Sequence, residues 1–329
     1  MSELRWNPVL REWVVTATHR QDRTFLPPPD YCPLCPTKAG GFPTEVPAED
    51  YQFVVFDNKF PSFHAAPPEP AVDGSELMPV RPAQGVCEVV LYSARHNATL
   101  AEASQDDLVR LTRVWRDRYE ELGARPEIDY VFIFENKGTA IGVTLHHPHG
   151  QIYAFSYLPP RLERSVASEA AHHAATGRCL HCDILAGECA DGRRIVAENE
   201  RFVALVPFYA RYPYEVHLYA KAHLPSLSAF SAADDRAFAE VLHAVLRKYD
   251  GLWEMSMPYI MVMQQAPTDG VERPGSHFRL EFYPPLRTRE KLKYLAGCES
   301  GAGTFINDTL PEEKAAELRA LAPQLGGQA

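Results

Sequence analysis

The sequence predicts an α+β fold made by tandem duplication of one unit, each copy an antiparallel sheet that carries one long helix. Three observations lead there. Two Cys-x-x-Cys pairs, Cys32/Cys35 and Cys179/Cys182, open two stretches in which the same elements recur in the same order. A serine–aspartate helix start follows a histidine by eight residues in both stretches, His96 to Ser104 and His223 to Ser231. Each helix leads to a strand-like run and then to a further histidine, His147 in the first stretch and His277 in the second.

The first stretch continues from Cys35 to an apolar run at residues 53–56, then to residues 89–92, which end near His96. The Ser104 hydroxyl can cap a helix while Asp107 completes a capping box. Leu108, Leu111, Trp115, Tyr119 and Leu122 then recur at helical spacing. After a Gly/Pro break, residues 130–134 read as a strand that delivers the chain to His147. The second stretch repeats this with residues 201–206 and 216–219, a Ser231/Asp234 capping box, and a helix face of Phe238, Val241, Leu242, Val245, Leu246 and Tyr249. Residues 259–263 form its next strand, and residues 277–281 follow. The join falls near residues 160–175, so the two halves are taken as 1–165 and 166–329. The proline-rich residues 65–83 read as a surface loop.

Composition narrows the function classes. The chain has 329 residues, enough for one large domain or two smaller ones, and its 46% hydrophobic content is ordinary for a folded protein. No run approaches the ~18 apolar residues of a membrane span. The start lacks a basic-then-apolar signal pattern, which makes the cytoplasm the expected compartment. A net charge of −10 argues against a nucleic-acid partner. Phosphate affinity must then come from a few local groups.

His146-His147-Pro148-His149-Gly150-Gln151 carries the chemistry. In extended backbone His147, His149 and Gln151 share one face. Pro148 holds its predecessor extended and keeps the imidazoles apart. Gly150 leaves room for a large ligand to approach the backbone. Imidazole is partly neutral and nucleophilic near pH 7, and it can attack phosphorus and later depart. Gln151 supplies no proton at any useful pH, and its NH2 group can only donate hydrogen bonds to phosphoryl oxygens. Cys32 and Cys35 are expected to hold zinc with His96 and His147; reduced cysteines under the core are the alternative reading. The repeat extends this to Cys179, Cys182, His223 and His277, hence two structural zinc ions. Arg279 stands where His149 stands in the first half, so the second half lacks the nucleophile. Its cation is free to meet a phosphate or to pair with Glu281.

The sequence resembles a known family at these residues. Phe134-Glu135-Asn136-Lys137-Gly138, Gly142 and His147-Pro148-His149-Gly150-Gln151 are similar to the signature of the galactose-1-phosphate uridylyltransferases, a branch of the histidine-triad superfamily. Asn7-Pro8, Arg20/Arg23, the CPLC pair, Asn58 in Phe56-Asp57-Asn58-Lys59-Phe60-Pro61, Tyr283-Pro284-Pro285 and Lys293 through Glu299 extend the likeness over nearly the whole chain. The resemblance implies two histidine-triad-like halves and a ping-pong transfer of uridylyl groups between UDP-glucose and galactose 1-phosphate. It implies His149 as nucleophile and Gln151 as holder of the phosphoryl group. Asn136 and Gly142 would line the phosphate pocket, with Arg20, Arg23 and Asn58 near the nucleotide. Lys293, Gly297 and Glu299 would meet the hexose phosphate, often across a homodimer interface in the family. Some members hold a second metal with a His-x-His pair; here that stretch reads Arg279-Leu280-Glu281, so an iron-type site is not expected. Many histidine-triad hydrolases carry a third histidine at the position of Gln151, and the glutamine is expected to favour transfer over hydrolysis. The nearest rival is another nucleotidyl transfer on the same scaffold, such as an ADP-sugar or dinucleotide phosphorylase. A nucleotide sensor without a covalent step and a zinc-stabilised nucleic-acid binder are more distant, the latter opposed by the acidic balance.

Overall fold

The computed structural model describes residues 2–23 and 31–321, the side chains of residues 22 and 23 excepted. In chain order the first elements are β1 (Ser2–Asn7), β2 (Glu12–Ala17), β3 (Val54–Asp57), β4 (Val80–Pro82) and β5 (Gly85–Leu91). Helix α1 (Gln105–Gly123) leads to β6 (Tyr130–Lys137) and β7 (His149–Phe155). Two helices follow, α2 (Pro160–Thr176) and α3 (Leu180–Asp191). The remaining elements are β8 (Ile195–Glu198), β9 (Phe202–Leu205), β10 (Val216–Ala220), α4 (Ala232–Gly251), β11 (Tyr259–Gln264) and β12 (Arg279–Tyr283). The C-terminal segment holds β13 (Leu286–Thr288), β14 (Lys291–Leu292), α5 (Gly297–Ala302) and α6 (Pro311–Ala320).

One nine-stranded antiparallel sheet runs through the molecule in the order β3-β5-β7-β6-β11-β12-β10-β9-β8. Apart from the extra edge strand β8, the order reads the same outward from the centre. On one side it runs β6, β7, β5, β3; on the other it runs β11, β12, β10, β9. The repeat seen in the sequence is therefore a repeat in space. The central pair β6/β11, with Phe134 opposite Val262 and Lys137 opposite Tyr259, makes one continuous sheet.

Helices α1 and α4 lie against each other on one face of this sheet. Leu108, Leu111, Trp115, Tyr119 and Leu122 of α1 are buried there, with Phe238, Val241, Leu242, Val245, Leu246 and Tyr249 of α4. They pack on Val131, Ile133, Ile152 and Ala154 from the first half and on Leu218, Met261, Leu280 and Phe282 from the second. Alternation along each strand turns the other residues, His149 and Gln151 among them, to the opposite face. The helix starts differ in one detail. At α4 the Ser231/Asp234 box closes in both directions. At α1 the Ser104 hydroxyl accepts from the Asp107 N–H, but the Asp107 carboxylate takes the Ser104 hydroxyl (2.6 Å) instead of completing a backbone box.

Other elements had no counterpart in the sequence reading. Strands β2-β1-β4 form a separate small sheet, so the proline-rich stretch ends in β4 rather than in loop. Helix α2 spans the expected join between the halves. No helix among the described residues is long and apolar enough to cross a membrane.

Candidate active site and metal centres

β7 opens on His149, and the residues before it form the wall of a metal-ligand cluster. Cys32, Cys35, His96 and His147 place their ligand atoms within 4.8 Å of one another. The Cys35 sulfur lies 3.4 Å from Nδ1 of His96 and 3.5 Å from Nδ1 of His147. A tetrahedral zinc with ordinary Zn–S and Zn–N bonds has ligand–ligand edges of about 3.5 Å. His147 Nε2 donates to the Ser93 carbonyl at 2.7 Å, which turns the Nδ1 lone pair toward the sulfurs. Burial holds this imidazole in its neutral, metal-binding form, with its pKa pushed down to about 4. The Tyr51 hydroxyl, 2.6 Å from the same Nε2, donates to the Leu34 carbonyl. Burial, with Cys32 beside it, pushes the Cys35 thiol up to about 11, so a cation must displace its proton.

The second half repeats the arrangement. Cys179, Cys182, His223 and His277 also gather within 4.8 Å. Cys182 stands 3.6 Å from Nδ1 of His223 and 3.5 Å from Nδ1 of His277, whose Nε2 donates to the Ala220 carbonyl at 2.8 Å. Ser93 and Ala220 each precede the first histidine of their set by three residues, so the orienting hydrogen bond is duplicated too. Both sets fit a closed four-ligand N/S site, which serves structure rather than catalysis.

His149 leaves that cluster and points to the open face. Its Nδ1 donates to the His147 carbonyl at 2.7 Å, and this fixes the tautomer with the lone pair on Nε2. Burial lowers its pKa, so the ring stays neutral and nucleophilic. Two cavities meet at His149 and Asn136. The larger, about 440 Å³, is walled by Leu34, Phe56, Phe60 and Val89 and carries Asn58, Gly142 and Gln151. The smaller, about 280 Å³, lies toward Thr99, Glu135 and Lys137. Gln151 is buried, and its carbonyl oxygen faces the Asn58 amide (3.4 Å), leaving its NH2 as the end that can donate to a phosphoryl group. Asn58 is itself held by the Phe60 N–H (2.9 Å) and by its own N–H to the Cys87 carbonyl. Gly142 ends a short 3-10 turn at φ 82°, a conformation that favours glycine. His146 is exposed and joins neither the metal set nor the hydrogen bonds of His149.

Several residues named in the sequence do not line these two cavities. The Arg20 guanidinium bonds the Ser62 hydroxyl and the Tyr153 hydroxyl (3.1 Å), two residues along β7 from Gln151. The Arg23 side chain lies outside the described residues. Lys293 and Glu299 pair with each other (3.3 Å) on the C-terminal segment, and Gly297 starts α5 there; none of the three lines either cavity at His149. Gly150 answers to the protein's own packing. A Cβ there would strike the Tyr92 hydroxyl and stand 2.9 Å from its Cζ. Arg279, buried, pairs with Glu281 (2.7 Å) and faces Glu169 (3.7 Å), while Ser165 of α2 and His181 of α3 also contact it. This ion network fills the place that corresponds to His149, so Arg279 serves structure.

Glu135 was not singled out, because a glutamate in Glu-Asn-Lys reads as a polar strand end. It is buried on the helix side, takes a hydrogen bond from the Tyr259 hydroxyl (3.3 Å), and burial pushes its pKa up to about 8. The folded state therefore keeps a proton that the unfolded chain releases near pH 4.5. Its stabilising contribution is complete below that pH and is lost as pH rises toward 8. Glu135→Gln should gain stability over the parent progressively from pH 5 to 8, on the order of 3 kcal/mol, and no further above. Urea unfolding across that range checks this; a difference independent of pH contradicts it.

Comparison with known proteins places the chain in a family. The family model for the galactose-1-phosphate uridyl transferase N-terminal domain matches residues 1–159, and that for the C-terminal domain matches residues 164–326. The chain belongs to the galactose-1-phosphate uridylyltransferase family. It is 42% identical to the galactose-1-phosphate uridylyltransferase of Thermotoga maritima over 324 residues, covering 97% of this chain and 98% of the relative. The corresponding protein of Streptomyces lividans is 38% identical, over 88% of this chain and 78% of its own length. A solved uridylyltransferase structure superposes with a TM-score of 0.83 at 32% identity, covering 97% of both chains. An ADP-glucose phosphorylase from Arabidopsis thaliana shares the fold, with a TM-score of 0.73 at 22% identity over 98% of this chain and 99% of that one.

Proposed function

We propose that the protein moves a uridylyl group from UDP-glucose to galactose 1-phosphate in two displacements at His149. The observation that carries this reading is the His149 tautomer: Nδ1–H is held by the His147 carbonyl, which leaves the lone pair on Nε2, and the residue lines both cavities. Nε2 attacks the α-phosphorus; a P–N bond forms, the P–O bond to the bridging oxygen breaks, and glucose 1-phosphate leaves with the electron pair. A phosphate oxygen of galactose 1-phosphate then attacks the same phosphorus and the P–N bond breaks, giving UDP-galactose and free His149. Charge moves between phosphoryl oxygens, so positioned hydrogen-bond donors do most of the work. Gln151 and Asn136 supply such donors beside His149. The apolar walls of the larger cavity suit the uridine.

The two Cys₂His₂ sets hold zinc in this reading, and the first one anchors the chain on which His149 is displayed. The halves, 1–165 and 166–329, divide the labour: the first reacts, and the second braces it through the shared sheet. Arg20, Arg23, Asn58 and Gly142 belong to the nucleotide side. We place the enzyme in the cytoplasm as a homodimer in which Lys293, Gly297 and Glu299 of one copy meet the hexose phosphate held by the other. Their separation from the His149 cavities within one chain supports that arrangement.

A ping-pong enzyme exchanges labelled glucose 1-phosphate into UDP-glucose with no galactose 1-phosphate present. Exchange is the expected result; exchange that requires the acceptor contradicts the reading. The same assay with ADP-glucose tests the rival phosphorylase. Gln151→His should raise hydrolysis of UDP-glucose relative to transfer by ~10-fold or more, since an imidazole can pass a proton and an amide cannot. An unchanged ratio of UMP to UDP-galactose would sink that idea.

A further inference from the structure

A nucleophile at His149 needs its backbone held in place. Directly beneath it, on the helix side of the sheet, runs the side chain of Tyr92. The Tyr92 N–H donates to the Pro148 carbonyl at 3.1 Å, immediately before His149. The far end of the same side chain stops under Gly150, immediately after His149. Residues two apart on a strand are separated by about 6.6 Å, a span that a tyrosine side chain matches. The ring is buried and set edge-on against Trp115 of α1 (6.1 Å between centroids, 88°), itself fully buried. Its hydroxyl has no hydrogen-bond partner among the described residues, so it acts there by shape.

We propose that Tyr92 is a positioning residue for uridylyl transfer: it clamps the backbone on both sides of His149, with a hydrogen bond before and a steric stop after. Gly150 is then glycine because Tyr92 occupies the place of its side chain. The proposal rests on His149 being the nucleophile. It acts on the height and tilt of the imidazole, and so on the rate of attack rather than on nucleotide binding.

The test uses zinc-loaded enzyme and measures two quantities, the single-turnover rate of adduct formation from UDP-glucose and the Kd of UDP-glucose. Tyr92→Leu should slow the adduct by about 30-fold with Kd within about 3-fold, since a displacement of an ångström at a reacting group costs up to ~100-fold. Gly150→Ala should slow it by about 100-fold. Adding Tyr92→Phe to Gly150→Ala should recover ~10-fold or more, because the hydroxyl that the new methyl strikes is gone. The unfolding midpoint of Gly150→Ala should rise in the double variant as well. Losses that simply multiply, or a Tyr92→Leu defect that appears equally in Kd, overturn the clamp. Should Gly150→Ala fail to fold, the Tyr92→Leu split between rate and Kd decides. Should the parent enzyme form no adduct, the nucleophile reading falls; an absence of recovery in the midpoints then removes the clamp as well.

Discussion

His149→Ala is expected to lower uridylyl transfer by ~10⁴-fold or more while leaving the zinc content and the affinity for UDP-glucose nearly unchanged. The side chain is half-buried, is held by one hydrogen bond to its neighbour's carbonyl, and takes no part in either Cys₂His₂ set. On the proposed mechanism its removal deletes the attacking nitrogen and little else. His147→Ala should behave in the opposite way, with metal lost from the first site and stability falling. An enzyme that keeps a tenth of its activity without the His149 imidazole would contradict the covalent route, whatever its binding shows.

Metal removal is the second large effect. Metal analysis of the purified protein should give close to two zinc ions per chain, and Cys35→Ser close to one. A metal in the first site would tie the Cys32–Cys35 turn and His96, which follows β5, to His147, two residues before His149. A ligand present at 1,000 times its Kd contributes about 4 kcal/mol to folding, so Cys35→Ser should lose stability on that order and much of its transfer rate. Cys182→Ser should lose a metal and stability with a smaller loss of rate, because the proposed mechanism places the nucleophile in the first half. A parent count near one would remove the second site from the account.

The legible parts of this molecule were those in which residue type and spacing already state the chemistry. Cysteine and histidine spacing, doubled by the repeat, foretold which cysteines and histidines gather in each half. The apolar spacing of α1 and α4 foretold which side chains the core holds, down to Trp115 and Tyr249. What escaped notice depends on contacts between distant segments. Gly150 suggested an approaching ligand, yet the approaching atom belongs to Tyr92, 58 positions earlier in the chain. Glu135 looks solvated until β6 is placed in the middle of a nine-stranded sheet with helices over that side. Arg279 reads as free to meet a phosphate or to pair with Glu281; the pair forms, and Glu169, Ser165 and His181 also reach the guanidinium from α2 and α3, which periodicity alone did not place. Lys293 and Glu299 carry the right residue types, but one chain by itself does not bring them to His149.

The central claim is a covalent uridylyl-histidine, and intact mass tests it most directly. The folded, zinc-loaded protein is mixed with UDP-glucose alone, quenched at neutral pH to spare the acid-labile P–N bond, and weighed. The account predicts a gain of one uridylyl group per chain, mapped to the peptide carrying His149 and discharged on adding galactose 1-phosphate. A protein that holds its metal and its fold and gains no mass would contradict it.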